Sequence, residues 1–128
     1  MGKQEKAIEL LTKAVSLLPP GEGLWARGRS CGHDRAYFLY PMALAFFRAG
    51  DMAIAQQEFE KINRLTFSRY LCGDLYAKSF YMLGQIHERL GNKKQARAKY
   101  LKFLDLWKNA DPGIAEVDDA RTRLGSLK

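Results

Sequence analysis

Two cysteines and two histidines are the side chains best suited to bind a metal or to act as nucleophile and base. Cys31 and His33 are separated by one residue, and Cys72 and His87 lie much further along the chain. Zinc modules pair cysteine or histidine ligands with roughly two to four residues between them, and a reactive thiol needs a base that a third group orients. The spacing fits neither pattern. The sequence therefore predicts no metal site, no cofactor and no catalytic residue, and two cysteines that stay reduced.

Other signatures of enzymes and membrane proteins are missing from the sequence. It has no glycine-rich phosphate loop, no Ser/His/Asp set and no paired catalytic carboxylates. No apolar run reaches the roughly 18 residues that a membrane-spanning helix needs, and the opening MGKQEKAIELL lacks the apolar block of a secretory signal. We therefore expect a non-enzymatic protein of the cytoplasm with no membrane partner.

The chain is basic, with a formal net charge of +7, which favours association with anionic partners in a salt-sensitive way. A nucleic-acid interface also needs exposed aromatic side chains beside the basic ones, and the segment LWARGRSCGHDRAYF comes nearest to that. A basic module that contacts nucleic acid is therefore the alternative function, and a solvated helix face is the preferred interpretation of the main basic cluster. This cluster consists of Lys93, Lys94, Arg97, Lys99 and Lys102.

Helical periodicity dominates the sequence and predicts an all-α fold. Asp34 and Asp74 are expected to be N-caps, and Pro41 falls inside a predicted helix, where it removes one hydrogen bond. Pro19-Pro20, Gly50-Asp51, Gly91-Asn92 and Asp111-Pro112-Gly113 are expected to separate the elements. The six predicted helices cover about 3–18, 35–49, 52–65, 75–90, 93–109 and 114–127.

The middle of the chain repeats itself at an offset of 41 residues, which relates Gly50 to Gly91 and Ala43 to Gly84. The second copy has Phe80, Leu83, Gly84 and His87 spaced as aromatic-x2-Leu-Gly-x2-aromatic, followed by Ala96, Tyr100 and Phe103. The corresponding residues of the first copy are Leu39, Met42, Ala43, Phe46, Ala55, Phe59 and Ile62, and the N-terminal helix supplies a second half with Ala7, Leu11, Ala14 and Pro19. This pattern resembles the tetratricopeptide repeat.

The resemblance implies one domain of antiparallel helix pairs that form a superhelix. Its parts are a half repeat at 3–19, repeats at 36–69 and 77–110, and a capping helix at 114–127. A glycine inside a helix costs about 1 kcal/mol relative to alanine. The resemblance explains Gly84 as a packing device, because Gly84 and Ala96 would lie where the paired helices approach most closely. It also implies that His87 packs in the core and that the chain is the C-terminal end of a longer repeat protein.

In this family the non-core face of each first helix lines a concave groove, and the resemblance implies that a peptide or helix of a protein partner binds there. The earlier part of that face is strongly apolar, so we expect a partner or the loop with Leu24 and Trp25 to cover it. Tyr40, Phe47 and Tyr81 are the expected anchors. A structural cap for a longer superhelix is a third interpretation. The complete set of expected partner-binding residues is Tyr37, Tyr40, Leu44, Phe47, Arg48, Lys78, Tyr81, Gln85, Glu88 and Arg89.

The N-terminal helix has two neighbouring apolar stripes. One stripe consists of Ile8, Leu11, Val15 and Leu18, and the other of Ala7, Leu10, Ala14 and Leu17. A helix that matches only the second half of a repeat covers one stripe and leaves the other open. We therefore expect a homodimer through this helix or coverage by the Leu24-Trp25 loop.

Overall fold

The computed structural model describes residues 2–18, 33–65 and 73–127. Every secondary-structure element within these ranges is a helix, which confirms the predicted all-α class. The Leu24-Trp25 loop, the Pro19-Pro20 stop and both cysteines lie outside the described residues. The helices are α1 (Lys3–Leu17), α2 (His33–Ala49), α3 (Met52–Arg64), α4 (Gly73–Arg89), α5 (Lys93–Leu106) and α6 (Ala115–Ser126).

Tight turns join α2 to α3 and α4 to α5 at the predicted glycines. Gly50 has a φ of +88° and Gly91 a φ of +75°, a backbone conformation that residues with a side chain rarely adopt. Asp51 follows Gly50 and accepts a hydrogen bond from the Ile54 amide at 3.2 Å, as an N-cap does. These turns make consecutive helices antiparallel, so each joined pair forms a hairpin.

Three predicted boundaries are wrong. α2 begins at His33 and α4 at Gly73, so Asp34 and Asp74 lie inside the first turn of their helices and not at the N-cap. The Asp74 carboxylate, in the first turn of α4, still interacts favourably with the helix dipole. α5 ends at Leu106 instead of about 109, and 107–109 form a turn. α2 continues through Pro41.

The core lies within and between the two hairpins. α2 packs against α3 and α4 against α5, while α3 packs against α4 and joins the hairpins. α1 packs against α2, and α6 packs against α5. The largest fully buried side chains include Leu39, Phe59, Ile62, Leu83, Ile86, Tyr100 and Phe103. Most are the apolar residues of the two repeat copies, and this explains why the repeated positions are apolar or small.

Gly84 is fully surrounded at the centre of the second hairpin. A Cβ added at Gly84 would lie 2.5 Å from Cε1 of Tyr100, well inside van der Waals contact. Ala96 on α5 is fully buried as well. The small residues on the two helices therefore allow the close approach that the resemblance implied.

Candidate protein-binding surface

The ten residues expected to bind a partner lie on α2 and α4, the first helices of the two hairpins. The structure divides them by what they contact. Tyr37 is 53% exposed, whereas Phe47 is 7% and Tyr81 is 9% exposed. Because two of the three expected anchors are buried, the free part of the surface is smaller than the sequence suggested.

Tyr40 of α2 is half-buried and packs against α3. The ring of Tyr40 meets that of Phe59 edge-on, with ring centroids 5.4 Å apart. Burial, together with the negative charges of Glu116 and Asp74, raises the pKa of Tyr40 to about 12. Tyr40 is therefore uncharged at neutral pH.

Phe47 links the two first helices through Arg89. The Arg89 guanidinium carbon lies 4.0 Å from the centre of the Phe47 ring, within the range of a cation–π contact. Arg89 itself remains exposed. The contact therefore holds a cation at the surface between α2 and α4.

Three of the expected residues on α4 are engaged by α6 through side-chain contacts. Tyr81 Oη donates to Asp119 Oδ2 at 2.6 Å, and Arg123 Nη1 donates to Glu88 Oε2 at 3.0 Å. Lys78 Nζ lies 3.3 Å from Glu116 Oε1. We call these residues of α4 and α6 the α6 latch: Lys78, Tyr81, Glu88, Glu116, Asp119 and Arg123.

The charges of the α6 latch stabilise one another. Burial alone would raise the pKa of Asp119, but the hydrogen bonds from Tyr81 and Arg123 and the charge of Arg123 lower it. The hydrogen bond to Asp119 raises the pKa of Arg123, and Glu88 adds to this effect. Glu88 also accepts a hydrogen bond from Tyr100 Oη at 2.8 Å. The latch thus ties α6 to a fully buried residue of α5 as well as to α4.

The remaining expected residues fall into two groups. Leu44 and Arg48 line a groove between α2 and α1. Tyr37 on α2 and Gln85 and Arg89 on α4 stay at least partly exposed. The structure therefore does not bring all ten residues onto one free surface.

The three α6 residues of the latch were not found by sequence reasoning. Glu116, Asp119 and Arg123 follow one another at spacings of three and four and so lie on one helix face. That spacing was a detectable signal. It did not indicate the partner helix, because the contacting residues of α4 lie 35 to 38 positions earlier in the chain.

Residues 77–106 match the family model for the tetratricopeptide repeat. The chain contains a tetratricopeptide repeat. The matched residues cover most of α4, the turn at Gly91 and all of α5, which is the hairpin built around Gly84. A search of curated proteins found no match to the chain.

His87 lies in the core of this tetratricopeptide repeat, as expected from its position in the pattern. It is 7% exposed, and its Nδ1 has no hydrogen-bond partner among the described residues. Burial and the nearby positive charge of Lys99 lower its pKa. In the described ranges no three His, Cys, Asp or Glu residues are placed to hold a metal ion.

The second helix of the repeat, α5, carries the basic cluster on its outer side. Lys93, Lys94, Arg97 and Lys102 are exposed. Lys99 is half-buried and lies 5.6 Å from the centre of the Phe80 ring. None of the helices described is long and apolar enough to cross a membrane.

Proposed function

We propose that this chain is a non-enzymatic protein-interaction module that binds an extended or helical segment of another protein on the face shared by α2 and α4. The tetratricopeptide repeat at 77–106 carries this proposal, because such repeats are generally interaction scaffolds. The contact residues that we assign are Tyr37, Tyr40, Gln85 and Arg89.

The chemistry of this face suggests the composition of the bound segment. Tyr37 presents a half-exposed aromatic ring, and aromatic side chains often dominate the energy of protein interfaces. Arg89 presents a guanidinium whose orientation is maintained by Phe47. A segment with an apolar side chain beside the Tyr37 ring and a carboxylate beside the Arg89 guanidinium would contact both residues.

Selection of displayed peptides tests this proposal. A random 12-residue peptide library displayed on phage is selected against the full chain, and enriched peptides are measured by calorimetry. We expect Tyr37→Ala and Arg89→Ala each to weaken binding at least about tenfold, as hot-spot residues do. Circular dichroism verifies that each variant is folded.

Leu101→Ala is the matched control, because Leu101 is 50% exposed on α5, away from the proposed face. It should leave the affinity unchanged. If the peptides bind the Tyr37 and Arg89 variants as tightly as they bind the original chain, the assigned face is wrong. Failure to enrich any peptide would count against a peptide-binding module.

The exposed basic cluster of α5 is the observation that favours the alternative, nucleic-acid binding. Neutralising phosphates releases counterions, so such binding weakens linearly with the logarithm of salt concentration. Binding of a fluorescent single-stranded oligonucleotide with this dependence, lost on Lys94→Glu/Arg97→Glu, would support the alternative. Undetectable oligonucleotide binding at low salt would exclude it.

A further inference from the structure

α1 has the sequence pattern of a second helix, but its repeat positions are more open than those of α5. Ala96, Tyr100 and Phe103 of α5 are fully buried, where α4 packs against α5. The residues at the same repeat positions of α1 are only half-buried. They are Ala7, Leu11 and Ala14.

α2 shows the same difference from α4. On α4, Ser79 and Ile86 are fully buried and Met82 is 6% exposed, and Ser79 contacts Asn63 of α3. The residues 41 positions earlier on α2 are open to different degrees. Phe38 is 36% exposed, Pro41 is exposed and Ala45 is half-buried.

The open faces of α1 and α2 meet in one groove of about 320 Å³. Its floor is mainly apolar, and Lys3 and Arg48 lie at one end, where α1 begins and α2 ends. By repeat equivalence, this is the place that a first helix takes beside a second helix. The other lining residues are Gln4, Ala7, Leu11, Pro41, Leu44 and Ala45.

We propose that α1 of a second copy of this chain lies in this groove, so that two copies form a two-fold dimer. In the two hairpins each first helix runs antiparallel to its second helix. A two-fold axis perpendicular to α1 also relates the two α1 helices in antiparallel fashion. A second copy therefore supplies a helix in the orientation that the groove requires.

α1 also presents the apolar side chains that the groove can bury. Leu10 is 57% and Leu17 is 77% exposed, and Ala14 lies between them on the same stripe. A two-fold arrangement that places Ala14 of one copy opposite Ala7 of the other also places Ala7 opposite Ala14. Both contacts then use small residues, like the close approach at Gly84.

The charges at the groove end are complementary to the end of α1. The last turn of α1 carries no basic residue, so the partial negative charge of its final carbonyl groups is not offset within its own last turn. In the antiparallel arrangement this end lies near Lys3 and Arg48 of the other copy. Cations near a helix C-terminus are favourable, and this contact occurs twice in the dimer.

Light scattering of the full chain over a range of concentrations tests the dimer. We expect the average mass to rise from 14.6 kDa toward twice that value. Leu10→Glu should weaken dimerisation at least about tenfold, because the glutamate would be buried without a partner in the middle of the α1 pair. Leu10 is exposed in the single chain, so circular dichroism should show unchanged folding.

A second variant and a control locate the interface. Ala45→Arg changes the groove on α2 and leaves the sequence of α1 unchanged. It should weaken dimerisation as strongly as the substitution on α1. Leu101→Glu, at a 50% exposed leucine of α5, should leave dimerisation unchanged.

Three results would overturn the proposal. A mass of 14.6 kDa at every concentration would show that no dimer forms. A fluorescence spectrum typical of a buried Trp25 indole would then favour the Leu24-Trp25 loop as the segment that covers the groove. If the Ala45→Arg variant dimerises with unchanged affinity, the copies associate outside the groove. If Leu101→Glu weakens dimerisation as much as the groove variants do, the association is nonspecific.

Discussion

Gly84 on α4 and Tyr100 on α5 are in such close contact that a methyl group on Gly84 would lie 2.5 Å from the tyrosine ring. The ring has little room to move, because Tyr100 is fully buried and its hydroxyl donates to Glu88 at 2.8 Å. The same glycine costs about 1 kcal/mol of helix propensity. The close contact between the helices offsets that cost.

We expect Gly84→Leu to lower the free energy of unfolding by about 3 kcal/mol or more, because overpacking a filled helix contact typically costs about 1–3 kcal/mol. The measurement is a thermal or denaturant unfolding curve. Gly125→Ala is the control, since nothing lies within 4 Å of a Cβ added at Gly125 in α6. That change should leave the protein as stable or slightly more stable. A Gly84→Leu variant that melts like the original chain would refute this explanation of the glycine.

The stability of the fold should fall in mild acid because of His87. The pKa of buried His87 is lowered from the ordinary value of 6.5, first by burial and then by Lys99, while Glu60 opposes the shift. Below about pH 6.5 the unfolded chain binds a proton that the folded chain excludes. The stability that the neutral histidine contributes is therefore fully present above that pH. It is lost as the pH falls toward the lower pKa of His87 in the folded chain.

His87→Phe is the test of this pH dependence, because it retains an aromatic ring at a position where the repeat usually has one. Denaturant unfolding from pH 7.5 to 5 should show a smaller loss of stability for the variant than for the original chain. Equal pH profiles would assign the acid sensitivity to other groups.

Arg123→Ala should loosen α6 more than the rest of the fold. It removes two hydrogen bonds to carboxylates, to Asp119 at 2.6 Å and to Glu88 at 3.0 Å. Because Arg123 is about one-third exposed, we expect a loss of stability of about 1 kcal/mol, between that of an exposed and a buried charged contact. Hydrogen exchange of the α6 amides is the measurement.

Arg121→Ala serves as the matched control for α6. Arg121 pairs with Asp118 at 3.4 Å, and both side chains are well exposed. Exchange in α6 should hardly change. If both arginine variants speed exchange equally, then the latch does not hold α6 and general charge effects do.

Acid should also weaken the α6 latch at lower pH than it affects His87. Hydrogen bonds to the charged carboxylate hold the pKa of Asp119 below its ordinary value of 3.8. The stability that the charged Asp119 contributes is therefore present above about pH 4 and is lost as the pH falls through the lower pKa of the folded chain. In the Asp119→Asn variant, the α6 amides should be less protected from exchange at neutral pH, and their protection should fall less below pH 4. Unchanged exchange of α6 in the Asp119→Asn variant would contradict this.

Local signals in the sequence were sufficient for the helices and the hairpins. The 3.6-residue periodicity predicted the six helices found in the described residues, and the glycines at 50 and 91 marked turns where the backbone needs positive φ. The resemblance to the tetratricopeptide repeat identified Gly84 and Ala96 as core contacts, because equivalent helices pack in equivalent ways. These features depend on neighbours within a helix or a hairpin, and a sequence records such neighbours directly.

Only the tertiary structure decided which surface stays free. The sequence placed Lys78, Tyr81 and Glu88 on the non-core face of α4. It could not show that α6 packs with Glu116, Asp119 and Arg123 facing these residues. The position and rotation of a capping helix depend on packing between distant segments, which no local pattern encodes. Packing between α2 and α4 places Arg89 over the buried Phe47 ring, and the groove between α1 and α2 stays open.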